Sequence, residues 1–351
     1  MPIRRDGPCG WCEDPGAHRR TWQNPGVTTR RSTAPLAFSG SRLGWADLPR
    51  HVRQRIAERC GAEVISETSA TSGFSPGFAA VLELGDGTEI FVKAVSEEQN
   101  PDSPGLARAE VEVARQLPST VSAPPLRWSD DDGTWVILAF TAVQGRSPEI
   151  PWRSDDLTRV LEAVTKFADV GASADLRLRP FASDMAQLAT GWERLAEDDD
   201  ALRRAVTAAG PHGEWLDRHL DTLRTWSADA EEASRGDCLV HGDLRADNIM
   251  LGAETVWFID WPHAAADGAA WIDLLGMLPS VAMQSGGDPA EIFWSQPTAA
   301  AADRDAVRAV LAGLTGYFVR AGVQPAPPGI TNLRPFQVAQ GIEALDWLRR
   351  F

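Results

Sequence analysis

Residues 240–250 read VHGDLRADNIM, and the chain returns through TVWFID to Asp260. Gly, Asp and Asn are the ordinary residues of turns, so each polar position in this loop has a bland explanation when taken singly. The spacing asks for more. A carboxylate at Asp243 and a carboxamide at Asn248, five residues apart in one loop, can converge on a single substrate. A hard cation such as Mg²⁺ favours oxygen ligands of both kinds. Asp260 supplies a third oxygen donor, brought back beside the loop by two short strands joined through the LGAE turn.

Opposite charge comes from earlier in the chain. FAAVLEL and TEIFVKAV alternate with period two around a Gly-Asp-Gly hairpin signal, so Lys93 in FVKAV faces away from its immediate neighbours. Glu110, on the helical stretch GLARAEVEVARQL, is placed to pair with it and aim its ammonium at the phosphates of a nucleotide. The small-residue segment TSGFSPG precedes the hairpin, and Ser72, Gly73, Phe74 and Ser75 are expected to fold over those phosphates through backbone N–H groups. The helix LPRHVRQRIAERCG before it ends at Gly61, and WVILAF is a further strand.

From about Pro148 the texture turns helical, with long amphipathic runs interrupted by the VHGD and WFID stretches. The predicted class is α+β, a strand-rich lobe followed by a helical lobe with the ligand site between them. Residues 1–42 are rich in Arg, Pro, Gly and Ser without sustained periodicity and read as a flexible tail. Residues 43–147 are expected to form the strand-rich lobe and 148–351 the helical lobe.

On these residues the chain resembles the aminoglycoside phosphotransferase family of the protein-kinase-like superfamily, over roughly residues 43–351. The family's H-G-D-x-x-x-x-N loop is matched by His241, Gly242, Asp243 and Asn248, and its metal-binding Asp by Asp260 in IDW. Asp273 in WIDLLGML matches the Asp that braces the catalytic loop from behind. The segment AFTAVQG resembles the hinge but lacks the acidic residue often present there. The resemblance implies a bilobal protein-kinase-like fold and ATP as phosphate donor, with GTP possible. Asn248 and Asp260 would then hold Mg²⁺, and Asp243 would orient a substrate hydroxyl and accept its proton. His241 is expected to fix the loop by hydrogen bonding, and Arg245 to touch a phosphate oxygen or be solvated.

The expected acceptor is a small hydroxyl-bearing molecule, first an aminoglycoside or related cationic antibiotic, then a metabolic alcohol of choline, homoserine or sugar type. A protein kinase is disfavoured because only twelve residues lie between Asp260 and Asp273, too few for a long activation segment. A non-catalytic nucleotide-binding protein on the same fold is the alternative from another class. The formal charge of −15 over 351 residues argues against nucleic-acid partners. No apolar run approaches the roughly 18–20 residues a membrane helix needs, so the expected location is cytoplasmic, as monomer or homodimer. Cys9 and Cys12 form a lone CxxC short of zinc partners, and EDDD at 197–200 reads as a solvated helix end. Trp152, Trp192, Trp215 and Trp226 lie on helical faces and read as core or interface.

Overall fold

The computed structural model describes residues 34, 35, 37–39, 42–170 and 176–351. The Cys9–Cys12 pair and most of the stretch read as a tail lie outside them. The helix α1 (Arg50–Cys60) presents Val52 and Ile56 to a sheet built from β1 (Val64–Ser69), β2 (Phe78–Leu84) and β3 (Glu89–Ser96). After α2 (Ser103–Ala114), strands β4 (Leu126–Asp131) and β5 (Trp135–Thr141) complete five antiparallel strands in the order β1-β2-β3-β5-β4. The period-two pattern of β3 sorts its side chains. Ile90, Val92 and Ala94 pack toward α1, whereas Val95 packs with Ala107 and Val111 of α2. Lys93 lies on the α2 face, paired in register with Ala79 and Leu138.

Strands β1 and β4 are the parts of this sheet that the sequence pattern does not announce. Both are polar edge strands, VISETS with mostly exposed and LRWSDD with mostly half-buried side chains, and both have an irregular register. An edge strand needs hydrogen-bonding neighbours more than an apolar face, so alternation is weak in both.

The helical lobe follows. Helix α3 (Ser154–Ala168) is succeeded by α4 (Phe181–Leu188), α5 (Gly191–Ala196), α6 (Asp199–Ala208), α7 (Gly213–Ser227) and the single turn α8 (Ala230–Ala233). Asp198 of the EDDD run caps α6 by accepting the N–H of Ala201 at 2.8 Å. The strands β6 (Arg235–Val240), β7 (Ile249–Leu251), β8 (Val256–Phe258) and β9 (Ala265–Gly268) form two small ladders, β6 with β9 and β7 with β8. Then come α9 (Ile272–Met283), α10 (Pro289–Ser295), α11 (Arg304–Gly322) and α12 (Leu333–Leu348). The lobe's core centres on α9 and α11, with Leu275, Leu278, Val310 and Leu311 fully buried. Trp192 is also fully buried and donates its ring N–H to the Ala312 carbonyl at 2.8 Å. Among the described residues no helix is long and apolar enough to cross a membrane.

Two connections fix the lobes against each other. Behind the cleft, Arg146 of the hinge segment and Leu251 of β7 exchange backbone hydrogen bonds of 3.2 and 2.7 Å. In front, Asn100 donates to the Pro328 carbonyl at 3.0 Å while its Oδ1 accepts the N–H of Asp102 at 2.9 Å. Carbonyl and amide of one side chain thus tie the start of α2 to the loop between α11 and α12.

Candidate active site

The loop between β6 and β7 is shaped by its own backbone demands. Gly242 has φ +81°, and a Cβ there would come within 2.6 Å of the His263 carbonyl oxygen, so a side chain at this position is excluded twice over. Asp273, in the first turn of α9, accepts the N–H of His241 at 2.8 Å and of Gly242 at 2.9 Å, one on each carboxylate oxygen. Burial pushes its pKa up, the two N–H donors oppose this, and the balance leaves it at about 6.

His241 is fully buried with its ring 4.4 Å from that of Trp261. Its Nε2 lies 3.0 Å from the Ile259 carbonyl oxygen and its Nδ1 accepts the Asp243 N–H at 3.3 Å, which assigns the proton to Nε2. Burial lowers its pKa to about 4, so the ring is neutral at physiological pH. It ties the loop to the β8 end and has no free nitrogen for substrate.

Asn248 donates its amide to the backbone oxygen of Asp243 at 2.8 Å and to the Asp243 carboxylate at 3.3 Å. Arg245 is not solvated: it grips Asp247 with Nε at 3.1 Å and Nη2 at 2.9 Å, and its Nη1 contacts Asp243. The guanidinium also lies 5.4 Å from the ring centre of Phe74 and 5.9 Å from that of Phe336. Burial raises the Asp243 pKa, and the nearby Arg245 charge works against that rise.

Across the cleft Lys93 donates to both Glu110 oxygens, at 2.9 and 2.8 Å, and to Asp260 Oδ1 at 2.6 Å. Glu112, two residues further along α2, pairs with Arg115 instead. Burial works against the Asp260 charge, but the Lys93 ammonium prevails and holds the carboxyl below its ordinary range. Burial outweighs the same ammonium at Glu110, whose pKa rises. Asp260 sits at φ +68°, a backbone conformation that residues with a side chain rarely adopt, and its carboxylate meets Lys93.

Asp243 and Asn248 thus form one hydrogen-bonded pair and Lys93, Glu110 and Asp260 a second cluster, with Asp243, Lys93, Glu110 and Asp260 lining the same cavity. The donors suit a hard cation. With its NH₂ committed to Asp243, Asn248 keeps its amide oxygen free, and Asp260 keeps Oδ2 free, among the described residues. No group of three His, Cys, Asp or Glu among those residues could hold a metal ion by itself, so a cation here would draw its other ligands from phosphate and water.

The TSGFSPG segment is placed differently from the simple expectation. Gly73, at φ +91°, donates its N–H to the Ala37 carbonyl at 2.8 Å and accepts the Ser39 N–H at 3.1 Å, so its own amide is already used. Phe74 crosses to the helical lobe, its ring 5.3 Å from Phe336 in an edge contact, and Ser75 lines the cavity beside Lys93. Ser72 does not line that cavity. The unforeseen participant is Arg42. It donates to the carbonyls of Ala70 at 3.1 Å, Gly73 at 3.3 Å and Ser75 at 3.2 Å, and has no ion pair among the described residues. Burial lowers its pKa, and the charge that it feels in return is that of Asp260. No local pattern around SRLG signals this role, because the partner carbonyls lie about thirty residues on.

A two-lobed fold with a buried Lys–Glu pair and an Asp, Asn and Asp carried by the loops that flank two short strands defines a kinase-like phosphotransferase. The family model described as "phosphotransferase enzyme family" matches residues 72–310, and the chain belongs to that family. Among solved structures it is similar to aminoglycoside phosphotransferase APH(4)-Ia, at TM-score 0.55 and 16% identity over 85% of this chain and 97% of that one. A thermostable mutant of the same enzyme, in a ternary complex with AMP-PNP and hygromycin B, gives TM-score 0.57 at 16% identity, covering 86% and 98%. The streptomycin-ATP-APH(2")-IIa ternary complex gives 0.50 at 12% identity, covering 87% and 97%. No curated protein matches the chain.

Proposed function

We propose that this phosphotransferase moves the γ-phosphate of ATP, or of GTP as second choice, to a hydroxyl of a small molecule in the cytoplasm. The observation that supports the reading is one cavity lined by Asp243, which Asn248 holds, and by Asp260 and a Lys93 that Glu110 holds in place. The acceptor oxygen attacks the γ-phosphorus, the bond to the β,γ-bridging oxygen breaks, and the hydroxyl proton passes to Asp243. Because such a transition state is loose, Asp243 mainly orients the hydroxyl and takes its proton late. Arg245, pinned by Asp247, positions that carboxylate, and Lys93 neutralises phosphate charge. Asn248 and Asp260 would hold Mg²⁺, which supplies charge stabilisation on the phosphates when bound.

A peptide acceptor is disfavoured by the path after Asp260. The chain enters β9, which pairs with β6, and then α9, with no extended segment on which a peptide could dock. A cationic antibiotic is the acceptor that the family resemblance suggests first; the lining of the cavity bears on that choice below.

The test is Mg²⁺-dependent ADP formation across a panel of alcohols, comparing wild type with Asp243→Asn. Loss of the proton acceptor should cost roughly 10²–10⁴-fold in kcat while nucleotide affinity stays within a few-fold. Nucleotide binding without product from any acceptor would favour the non-catalytic reading instead.

A further inference from the structure

A cavity of about 560 Å³ opens onto Asp243, bounded by α2, α4, α9, α11 and α12. That volume suits a small-molecule ligand. Its chemistry is uneven. Six carboxylates line it, and five are already engaged. Glu110 and Asp260 share Lys93, Asp184 takes Arg179 Nε on both oxygens, Asp273 holds two loop N–H groups, and Asp243 is held by Arg245 and Asn248. Asp102, exposed at the N-terminus of α2, alone has no side-chain partner among the described residues.

The wall away from the catalytic loop is apolar, formed by Phe181, Leu188, Leu314, Phe318, Ile330 and Leu333. Set among these is Gln340, only 5% exposed and lining the cavity, whose amide makes no hydrogen bond among the described residues. The amide is not sealed from the cavity, and a hydroxyl or carbonyl group on a ligand would pair with it there. A polycation entering the same space would shed the hydration of every ammonium and find one uncommitted carboxylate in return. An apolar body loses little hydration and gains contact with six side chains.

We infer that the acceptor is an alcohol with a substantial apolar body and at most one positive charge, seated against α4, α11 and α12 with a polar group on Gln340. This rests on the phosphotransferase reading and sharpens it, since a densely aminated antibiotic does not suit this cavity. The reacting hydroxyl faces Asp243, and Asp102 is where a single ammonium would lie.

The test is binding by calorimetry on the full chain, which needs no turnover. Methyl, butyl and phenyl β-D-glucoside form a ladder with the same hydroxyls and a growing apolar part; hygromycin B and streptomycin serve as polycations. The expected result is at least a tenfold fall in Kd from the methyl to the phenyl glucoside, with both polycations binding no more tightly than the methyl glucoside. Leu188→Asp, at a half-buried wall position, should then weaken the phenyl glucoside at least fivefold; the ladder on the wild type stands alone should that variant fail to fold. A flat ladder overturns the inference, as does tighter binding of either polycation that weakens as salt is raised. Mg·ATP titrated in the same cell separates the two readings. Nucleotide binding with a flat ladder sinks the acceptor inference alone, whereas no nucleotide binding sinks the phosphotransferase reading.

Discussion

At the scale of single residues, His241 and Asp273 couple the loop to pH with opposite signs. The His241 imidazole titrates at about 4 in the folded chain and near its ordinary value of about 6.5 when unfolded. A lowered pKa on a base means that the unfolded chain binds the proton more readily. Its contribution is therefore full above pH about 6.5 and is lost as pH falls toward 4, with an upper limit of about 3 kcal/mol. Asp273 is raised to about 6 from an unfolded value of about 3.9, so its contribution is present below that lower value and disappears as pH rises through 6. Replacing His241 with Gln removes the first effect and leaves the second. Melting temperatures measured from pH 7.5 to 5 should fall more steeply for the wild type than for His241→Gln; parallel slopes would show that the buried imidazole is not the titrating group.

At the scale of elements, the TSGFSPG loop proposed to bind nucleotide is not self-supporting. Residues 37–39 and 42–43 lie along it, Phe38 bridging to Gly73 and Leu43 to Phe78, while Arg42 gathers three of its carbonyls. Carbonyls drawn toward Arg42 leave the Phe74 and Thr71 amides facing away from it, since C=O and N–H of one peptide unit point in opposite directions. Arg42→Ala should cost about 1–2 kcal/mol of stability and raise the KM for ATP several-fold with a smaller change in kcat. Chains beginning at Ala34 and at Gly44 should differ in the same way. Equal KM values in that pair would remove the strap from the nucleotide site. The contrast with the catalytic loop explains what could be read in advance. His241, Asp243, Asn248 and Asp260 are gathered by two short strands within twenty residues, so spacing alone exposes them. Lys93 and Glu110 are one strand and one helix apart and remain visible through periodicity. Arg42, Gln340 and the cavity wall meet only through tertiary packing, and polar β1 and β4 are strands because neighbours offer them hydrogen bonds. None of these leaves a local pattern.

At the scale of the whole molecule, the lobes are joined at the front of the cleft through an aromatic contact. Phe74 reaches from the nucleotide loop to Phe336 at the start of α12, and Arg245 of the catalytic loop lies over both rings. Phe336 is 1% exposed and lines the cavity, and one of its neighbours belongs to the other lobe. The Thr331 N–H, five residues before it, donates to the Ser39 carbonyl of the strap at 3.0 Å, which makes the α11–α12 loop a support for the nucleotide loop from two directions. Truncation of Phe336 to Ala should cost about 3 kcal/mol, the lower end for deleting a buried aromatic ring. If the contact also orders the opposite lobe, backbone amides of residues 71–77 should exchange with solvent faster in that variant, while those of β3, held by the sheet ladder, should not change beyond the global loss. Phe336→Leu keeps most of the volume without the ring edge and should fall between. Unchanged exchange in residues 71–77, despite the lost stability, would mean that Phe336 serves the helical core alone and that the loop is ordered by the strap without it.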